Sequence, residues 1–254
     1  MKRPHIILFA LGLLLLSACD LPHQPGPMPS DIVETEFEPG LNIMGIIRAD
    51  GLTGSSFVNI NRALTTEEIY SDSIENFTPA VDAILISDLA SGDESGFTLL
   101  DSNDLDTFSD SSFQADYGKH YSLEITSPDS PTLTADTQVP FRPVVSAMDL
   151  ESNRLQFTVD SDPTAFELKV YLLFMDRVLE KVVKPVNGTD SEVHFSWDDD
   201  LQPLYLMVVA QDENLTRYAN SPISFLPNTY HADPSTVEGG FGCFGSVAVE
   251  VIEL

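Results

Sequence analysis

Between Tyr121 and Thr126 the chain reads Tyr-Ser-Leu-Glu-Ile-Thr, apolar and polar by turns. A period of two puts Tyr121, Leu123 and Ile125 on one side of an extended strand and Ser122, Glu124 and Thr126 on the other. The rhythm recurs. Leu155, Phe157 and Val159 alternate with Gln156, Thr158 and Asp160, and Val193, Phe195 and Trp197 alternate with Glu192, His194 and Ser196. Val58 and Ile60 mark another inward face, and Val81, Ala83 and Leu85 read as one more. Leu41 to Ile47 predicts a first strand. Phe166–Met175 and Leu204–Ala210 carry apolar residues partly on both faces, as central or covered strands do. Loops rich in Asp, Ser and Gly separate these runs, at 89–96 and 101–110. Such a chain is expected to be all-β.

About six or seven short strands precede Val139, enough for one sandwich. Thr65-Thr66-Glu67-Glu68 has the form of a capping box and predicts a short helix or irregular insert. Pro140-Phe-Arg-Pro143 then interrupts the pattern, since proline cannot donate to a sheet ladder. The expected organisation is two immunoglobulin-like or fibronectin-like β-sandwich domains, over 39–139 and 140–227. Residues 228–254 follow as a glycine–aromatic loop and a final strand. The loop comprises Gly239, Gly240, Phe241, Gly242, Cys243, Phe244 and Gly245, with Phe241 and Phe244 expected to plug an apolar gap. Val247, Val249 and Val251 alternate behind it. That strand is expected to return to the first domain or to seal the junction.

The N-terminus carries a different signal. Lys2 and Arg3 precede an apolar run from Ile6 to Leu16. As a helix the run would span roughly 16 Å, about half of a ~30 Å hydrocarbon core. A basic start and a short apolar core mark a secretory signal over 1–18. Leu16-Ser17-Ala18-Cys19 has the pattern of a bacterial lipoprotein box, with cleavage between Ala18 and Cys19 and a diacylglycerol on the Cys19 thiol. Residues 19–38 read as a flexible, proline-rich tether that includes His23. Removing the first 18 of 254 residues leaves 236. With Cys19 lipidated, Cys243 has no partner for a disulfide, so stability must come from apolar cores.

The formal net charge of −28 argues against nucleic acid, whose phosphates require Lys and Arg. It also argues against adsorption to anionic headgroups. Few lysines and evenly spread acids favour a solvated surface suited to high salt over one that collects cations or a basic partner.

Chemistry-bearing groups are sparse. Cys243 with His120, His194 or His231 as base is one candidate nucleophile, but no surrounding motif supports it. A buried, inert thiol is the plainer reading. Asp101, Asn103, Asp104 and Asp106 offer oxygen ligands, for which Ca²⁺ is the fitting ion, yet the segment lacks the glycine and terminal glutamate of an EF-hand loop. Asp198, Asp199 and Asp200 form a second acidic turn. Trp197 alternates with core residues and is expected to be core. No phosphate loop, nucleophile elbow or zinc spacing appears, so no catalytic residue, resident metal or cofactor is expected.

Taken in order, the lipobox, LNIMGIIR, VDAILISD, YGKHYSLEI, PFRPVV and GGFGCFG resemble the Bacteroidota envelope lipoproteins grouped as domain of unknown function 4249. The resemblance spans nearly the whole mature chain. It implies an envelope lipoprotein whose gene often lies beside outer-membrane TonB-dependent receptors, and it supplies no catalytic residues. The expected function is binding, as an accessory to such a receptor complex. A ligand- or glycan-capturing module and an envelope hydrolase are the alternatives. The expected location is the outer membrane facing the periplasm, with the cell surface as the other choice.

Overall fold

A computed structural model describes residues 40–63, 79–101, 104–186, 188–198, 201–221 and 235–254. The signal segment, Cys19, His23, the Thr65–Glu68 capping box and His231 lie outside these residues. Among the described residues sixteen strands and one short helix follow in chain order. They are β1 (Leu41–Ala49), β2 (Phe57–Arg62), β3 (Ala83–Asp88), β4 (Glu94–Gly96), β5 (Thr98–Asp101), β6 (Asp104–Ser109), β7 (His120–Ser127) and β8 (Ser130–Gln138). After the Pro140–Pro143 segment come β9 (Val145–Glu151), β10 (Arg154–Val159), β11 (Glu167–Leu173), β12 (Val178–Val183), β13 (Ser191–Ser196) and β14 (Tyr205–Gln211). Helix α1 (Glu213–Ala219), β15 (Val237–Glu238) and β16 (Gly240–Glu253) complete the order.

The strands form three sheets: an eight-stranded sheet ordered β12-β11-β14-β16-β1-β2-β6-β5, a five-stranded sheet β15-β8-β7-β3-β4, and a three-stranded sheet β13-β10-β9. This is a largely β fold of sheets packed through apolar faces. The largest sheet draws strands from both sides of Pro140–Pro143. Its centre is β16, whose 14 residues pair with β1 from Gly240 to Ala248 and with β14 from Val247 to Glu253. The β1–β16 pairing is parallel, whereas every other ladder among the described strands is antiparallel. Phe37–Leu254 clusters as one compact unit.

The alternation that predicts the inward faces is largely realised. Tyr121, Leu123 and Ile125 are buried, as are Val58 and Ile60, Leu155, Phe157 and Val159, and Val193, Phe195 and Trp197. All join one continuous core. β11 and β14 are internal strands, as their two-sided apolar pattern suggests. One face is reversed. In β3 the buried residues are Ile84 and Ile86, while Ala83 is exposed and Val81 and Leu85 are half-buried. Apolar side chains occupy both parities there, so a one-residue shift of register costs the local pattern little; pairing with β7, which sets Ile84 opposite Ile125, decides it.

Helix α1 is a feature the periodicity does not reveal, being only seven residues long. Asp212 caps it by accepting from Leu215 N at 2.9 Å, and Glu213 faces Arg217 one turn later at 3.5 Å. Its Leu215 packs with Cys243, Val247 and Val249, so the middle of β16 is covered on both faces.

Candidate functional site

The segment Gly239–Gly245 is not the loop expected from its glycines. Gly240–Gly245 is the first half of β16. Glycine is required here because other backbone comes too close. At Gly242, whose φ is 109°, a Cβ would sit 2.0 Å from the Ile43 carbonyl oxygen. At Gly245 a Cβ would lie 2.8 Å from the Leu215 Cβ and 2.9 Å from its backbone N. The two aromatic rings divide. Phe244 is fully buried, as expected, but Phe241 is 36% exposed and does not fill the core. Adjacent strand residues point to opposite faces, so an odd and an even position cannot plug the same gap.

Cys243 pairs in register with Met44 and is completely buried. Its thiol faces the Asn214 carbonyl at 3.8 Å. Burial pushes the thiol up to about 11, so it stays protonated at neutral pH and is no nucleophile. His120 and His194 are exposed on β7 and β13. The thiol and these imidazoles therefore form no catalytic pair.

The other polar candidates are only partly brought together. Asp101 and Asp104 sit opposite each other in the β5–β6 ladder, Asp106 lies further along β6, and Asn103 is outside the described residues. Asp198 is exposed, and its two acidic neighbours are outside the described residues. Among the described residues no group of three or more His, Cys, Asp or Glu could hold a metal ion. Trp197 is core, edge-on to Phe174 at 5.4 Å, with the Arg177 guanidinium 4.6 Å from the Phe174 centroid. A depression lined by Phe141, Pro143, Val159, Asp162 and Leu168 encloses about 10 Å³, barely room for one water molecule.

The most developed polar constellation is one that sequence reasoning missed. Asp212, 4% exposed, accepts from Thr137 Oγ1 and from Leu215 N. Ser246 Oγ lies 2.9 Å from Thr137 Oγ1 and donates to the Gln138 carbonyl at 2.9 Å. Asn214 Nδ2 donates to the carbonyls of Asp136 at 2.8 Å and Phe244 at 3.0 Å. The cluster thus ties β8, α1 and β16 together. Only the Asp-x-Asn spacing before a short amphipathic stretch hints at it, because Thr137 and Ser246 are 109 positions apart.

Burial raises the Asp212 carboxyl above its usual range, against the lowering effect of its hydrogen bonds. A carboxyl raised in the folded state binds its proton more readily there than in the unfolded chain. Its contribution is fully favourable below the unfolded value and is lost as pH rises through the folded one. Stability of the native chain is therefore expected to rise, relative to an Asp212→Asn variant, as pH falls from neutral towards about 4. Paired urea titrations across that window measure the difference, and parallel pH profiles would contradict it.

A second set of contacts immobilises the Pro140–Pro143 segment. Arg142 forks onto Glu250 of β16, with Nε 2.5 Å and Nη2 3.0 Å from its carboxylate oxygens. Phe141 N donates to Asp162 Oδ2 at 2.9 Å, and nearby Tyr117 Oη, outside the segment, donates to the Val249 carbonyl of β16 at 3.1 Å. None of the described helices is long and apolar enough to cross a membrane.

No protein-family model matches the chain, and no curated protein matches it significantly. Several solved structures are distantly similar. The chicken CNTN1 FN1-FN3 domains are 11% identical over 86% of this chain, which spans 66% of that fragment, with a TM-score of 0.27. The chicken interferon gamma receptor alpha chain is 7% identical, covering 87% of this chain and 99% of that one, with a TM-score of 0.25. A 1.5-MDa bacterial ice-binding adhesin is 12% identical over 85% of this chain and 64% of that one, with a TM-score of 0.24. At these scores no partner or activity passes from them to this chain.

Proposed function

We propose that the chain is a lipid-anchored cell-envelope protein that acts by binding, as an accessory to an outer-membrane receptor complex of the TonB-dependent type. The observation that carries this reading is Leu16-Ser-Ala-Cys19 at the end of a short apolar run with a basic start. Two or more acyl chains on one cysteine anchor durably where one would not. Above the tether, two sandwich domains of the immunoglobulin or fibronectin type meet near Pro140–Pro143 and share β16 as a common strand. The sealed Cys243 thiol favours recognition over thiol chemistry. The acidic surface suits a salty compartment, where screening removes its self-repulsion.

The test is crosslinking and affinity capture from native membranes, with acylated full-length protein beside a Cys19→Ser variant. The expected result is radiolabelled-lipid incorporation that Cys19→Ser abolishes, and one receptor that is captured only with the acylated form. Cys19→Ser protein that stays membrane-bound would overturn the anchor. Acylated protein that captures no envelope component would overturn the accessory role.

A further inference from the structure

Strands β9 to β14 and the second half of β16 run between two ends. One end lies at Pro140–Pro143, where Asp160 N donates to the Val144 carbonyl at 2.9 Å. At the other end four segments are tied together into a pole. Trp197 N, just after β13, donates to the Asn153 carbonyl of the β9–β10 turn at 3.1 Å, and Gln202 Nε2 donates to the Ser152 carbonyl at 3.2 Å. Phe174 N closes the β11–β12 turn on the Arg177 carbonyl at 2.9 Å, and the Phe174 ring packs edge-on against Trp197. Leu204 N donates to the Leu173 carbonyl at 2.8 Å and Leu254 N to the Leu204 carbonyl at 3.0 Å, which brings in β14 and the end of β16.

The centre of this pole is apolar. Met175, in the β11–β12 turn, is 87% exposed. Turns are ordinarily built from Gly, Pro, Asn, Asp or Ser, and a methionine there gains no burial from folding. Leu204, bonded to the strand end two residues before Met175, is exposed as well. Val178 and Tyr205 both pair with Leu173, and Val251 lies two residues before Glu253, the partner of Tyr205. Val178, Tyr205 and Val251 therefore share one sheet face, and all three are exposed on it. Apolar side chains gathered into one patch, unlike single ones scattered over a surface, mark a binding site.

The rim is acidic. Asp149, Glu151, Asp176, Asp198 and Glu253 are all exposed there, against Arg154 and Arg177. Both cations are already engaged. Arg154 lies 3.0 Å from Glu151, and Arg177 lies 3.7 Å from Asp176 with its guanidinium 4.6 Å from the Phe174 centroid. A second copy of the chain would set one acidic rim against another, and an anionic lipid surface would be repelled in the same way.

We infer that this pole docks a protein whose contact surface has an apolar centre bordered by Lys and Arg. The flexible Met175 side chain adapts to the apolar centre, and the acidic rim steers the basic border into register. The pole is also remote from the start of the described chain. Leu41 pairs with Gly240, at the other end of β16 from Glu253, and 14 extended residues span up to roughly 45 Å. This inference rests on the binding role proposed above and names its surface, but it does not depend on Cys19.

Photocrosslinking in cells that carry the native envelope reads the contact by position. Benzoylphenylalanine replaces Met175 or Tyr205 in the full chain, and replaces the exposed Leu52 or Leu89 in controls. The expected result is one protein joined at 175 and 205 but not at 52 or 89, through an apolar segment flanked by Lys or Arg. With the crosslinker at 205, Met175→Asp and the Asp176→Lys, Glu253→Lys pair are each expected to cut the yield at least about fivefold, with unchanged circular dichroism. A product that is a second copy of this chain or a lipid overturns the proposal. So does a partner surface without basic residues, a yield that neither variant lowers, or an equal yield at the control positions. A protein captured by the whole chain with no product at 175 or 205 overturns the pole alone. Absence of both capture and crosslink overturns the binding role with it.

Discussion

Deletion of Gly240–Leu254 is expected to unfold the chain on both sides of Pro140–Pro143. The segment resembles a tail only in sequence. In the fold it pairs with β1 at nine positions and with β14 at seven, and both neighbours are interior strands. Without it the eight-stranded sheet divides at its centre and two unprotected edges appear. The core loses Phe244 and Ala248, both fully buried, and burial of the phenylalanine alone contributes roughly 1.5–3 kcal/mol. Ser246, and with it the support of the Asp212 cluster, is lost as well. Glu250, the partner of Arg142, goes too. Together these approach the ~5–15 kcal/mol by which a whole domain is stable. Circular dichroism on heating and amide hydrogen exchange are the measurements. A truncated chain that keeps a cooperative transition, or protection in β10 and β11, would show that β16 is peripheral.

Gly242→Ala is expected to be the most damaging glycine-to-alanine change among the described residues. The residue sits at a φ of 109°, and the new Cβ would lie 2.0 Å from the Ile43 oxygen and 2.9 Å from that residue's C and N. All three are backbone atoms of the paired strand, so no rotamer change relieves the clash. Strained backbone costs about 1–3 kcal/mol by itself. Separation of β1 from β16 adds ladder hydrogen bonds at about 1 kcal/mol each. The expected loss is about 4 kcal/mol or more, in the range reserved for a few named mechanisms. Gly51→Ala is the internal control. Gly51 has a φ of 79° but nothing within 4 Å of its Cβ position, so only the backbone term of about 1–2 kcal/mol applies. Urea midpoints compare the two. Equal losses would mean that Gly242 does not approach Ile43 as the parallel register requires.

The β class of the chain was legible because side-chain alternation is a local property. Tyr121, Leu123 and Ile125 declare their face within six residues, as do Leu155, Phe157 and Val159. The placement of Trp197 in the core and of His194 at the surface followed from the same rhythm. Where local evidence was balanced, it failed. Val81, Ala83 and Leu85 looked as suitable for an inward face as Ile84 and Ile86, and only the partner strand chose between them. Leu16-Ser17-Ala18-Cys19, which we propose as a lipobox, is a different kind of information, a pattern read from the chain alone.

What the tertiary structure decided is concentrated in β16 and what touches it. Gly240, Gly242 and Gly245 lower strand propensity, so by itself the segment reads as a loop. It becomes the central strand because Ile43 and Leu215 come so close that only glycine fits, and those contacts join residues some 30 to 200 positions apart. The burial of Asp212, the inert state of Cys243 and the exposure of Phe241 all follow from that placement. A period of two tells each strand which face to bury, but the identity of its neighbour is a long-range choice made by packing.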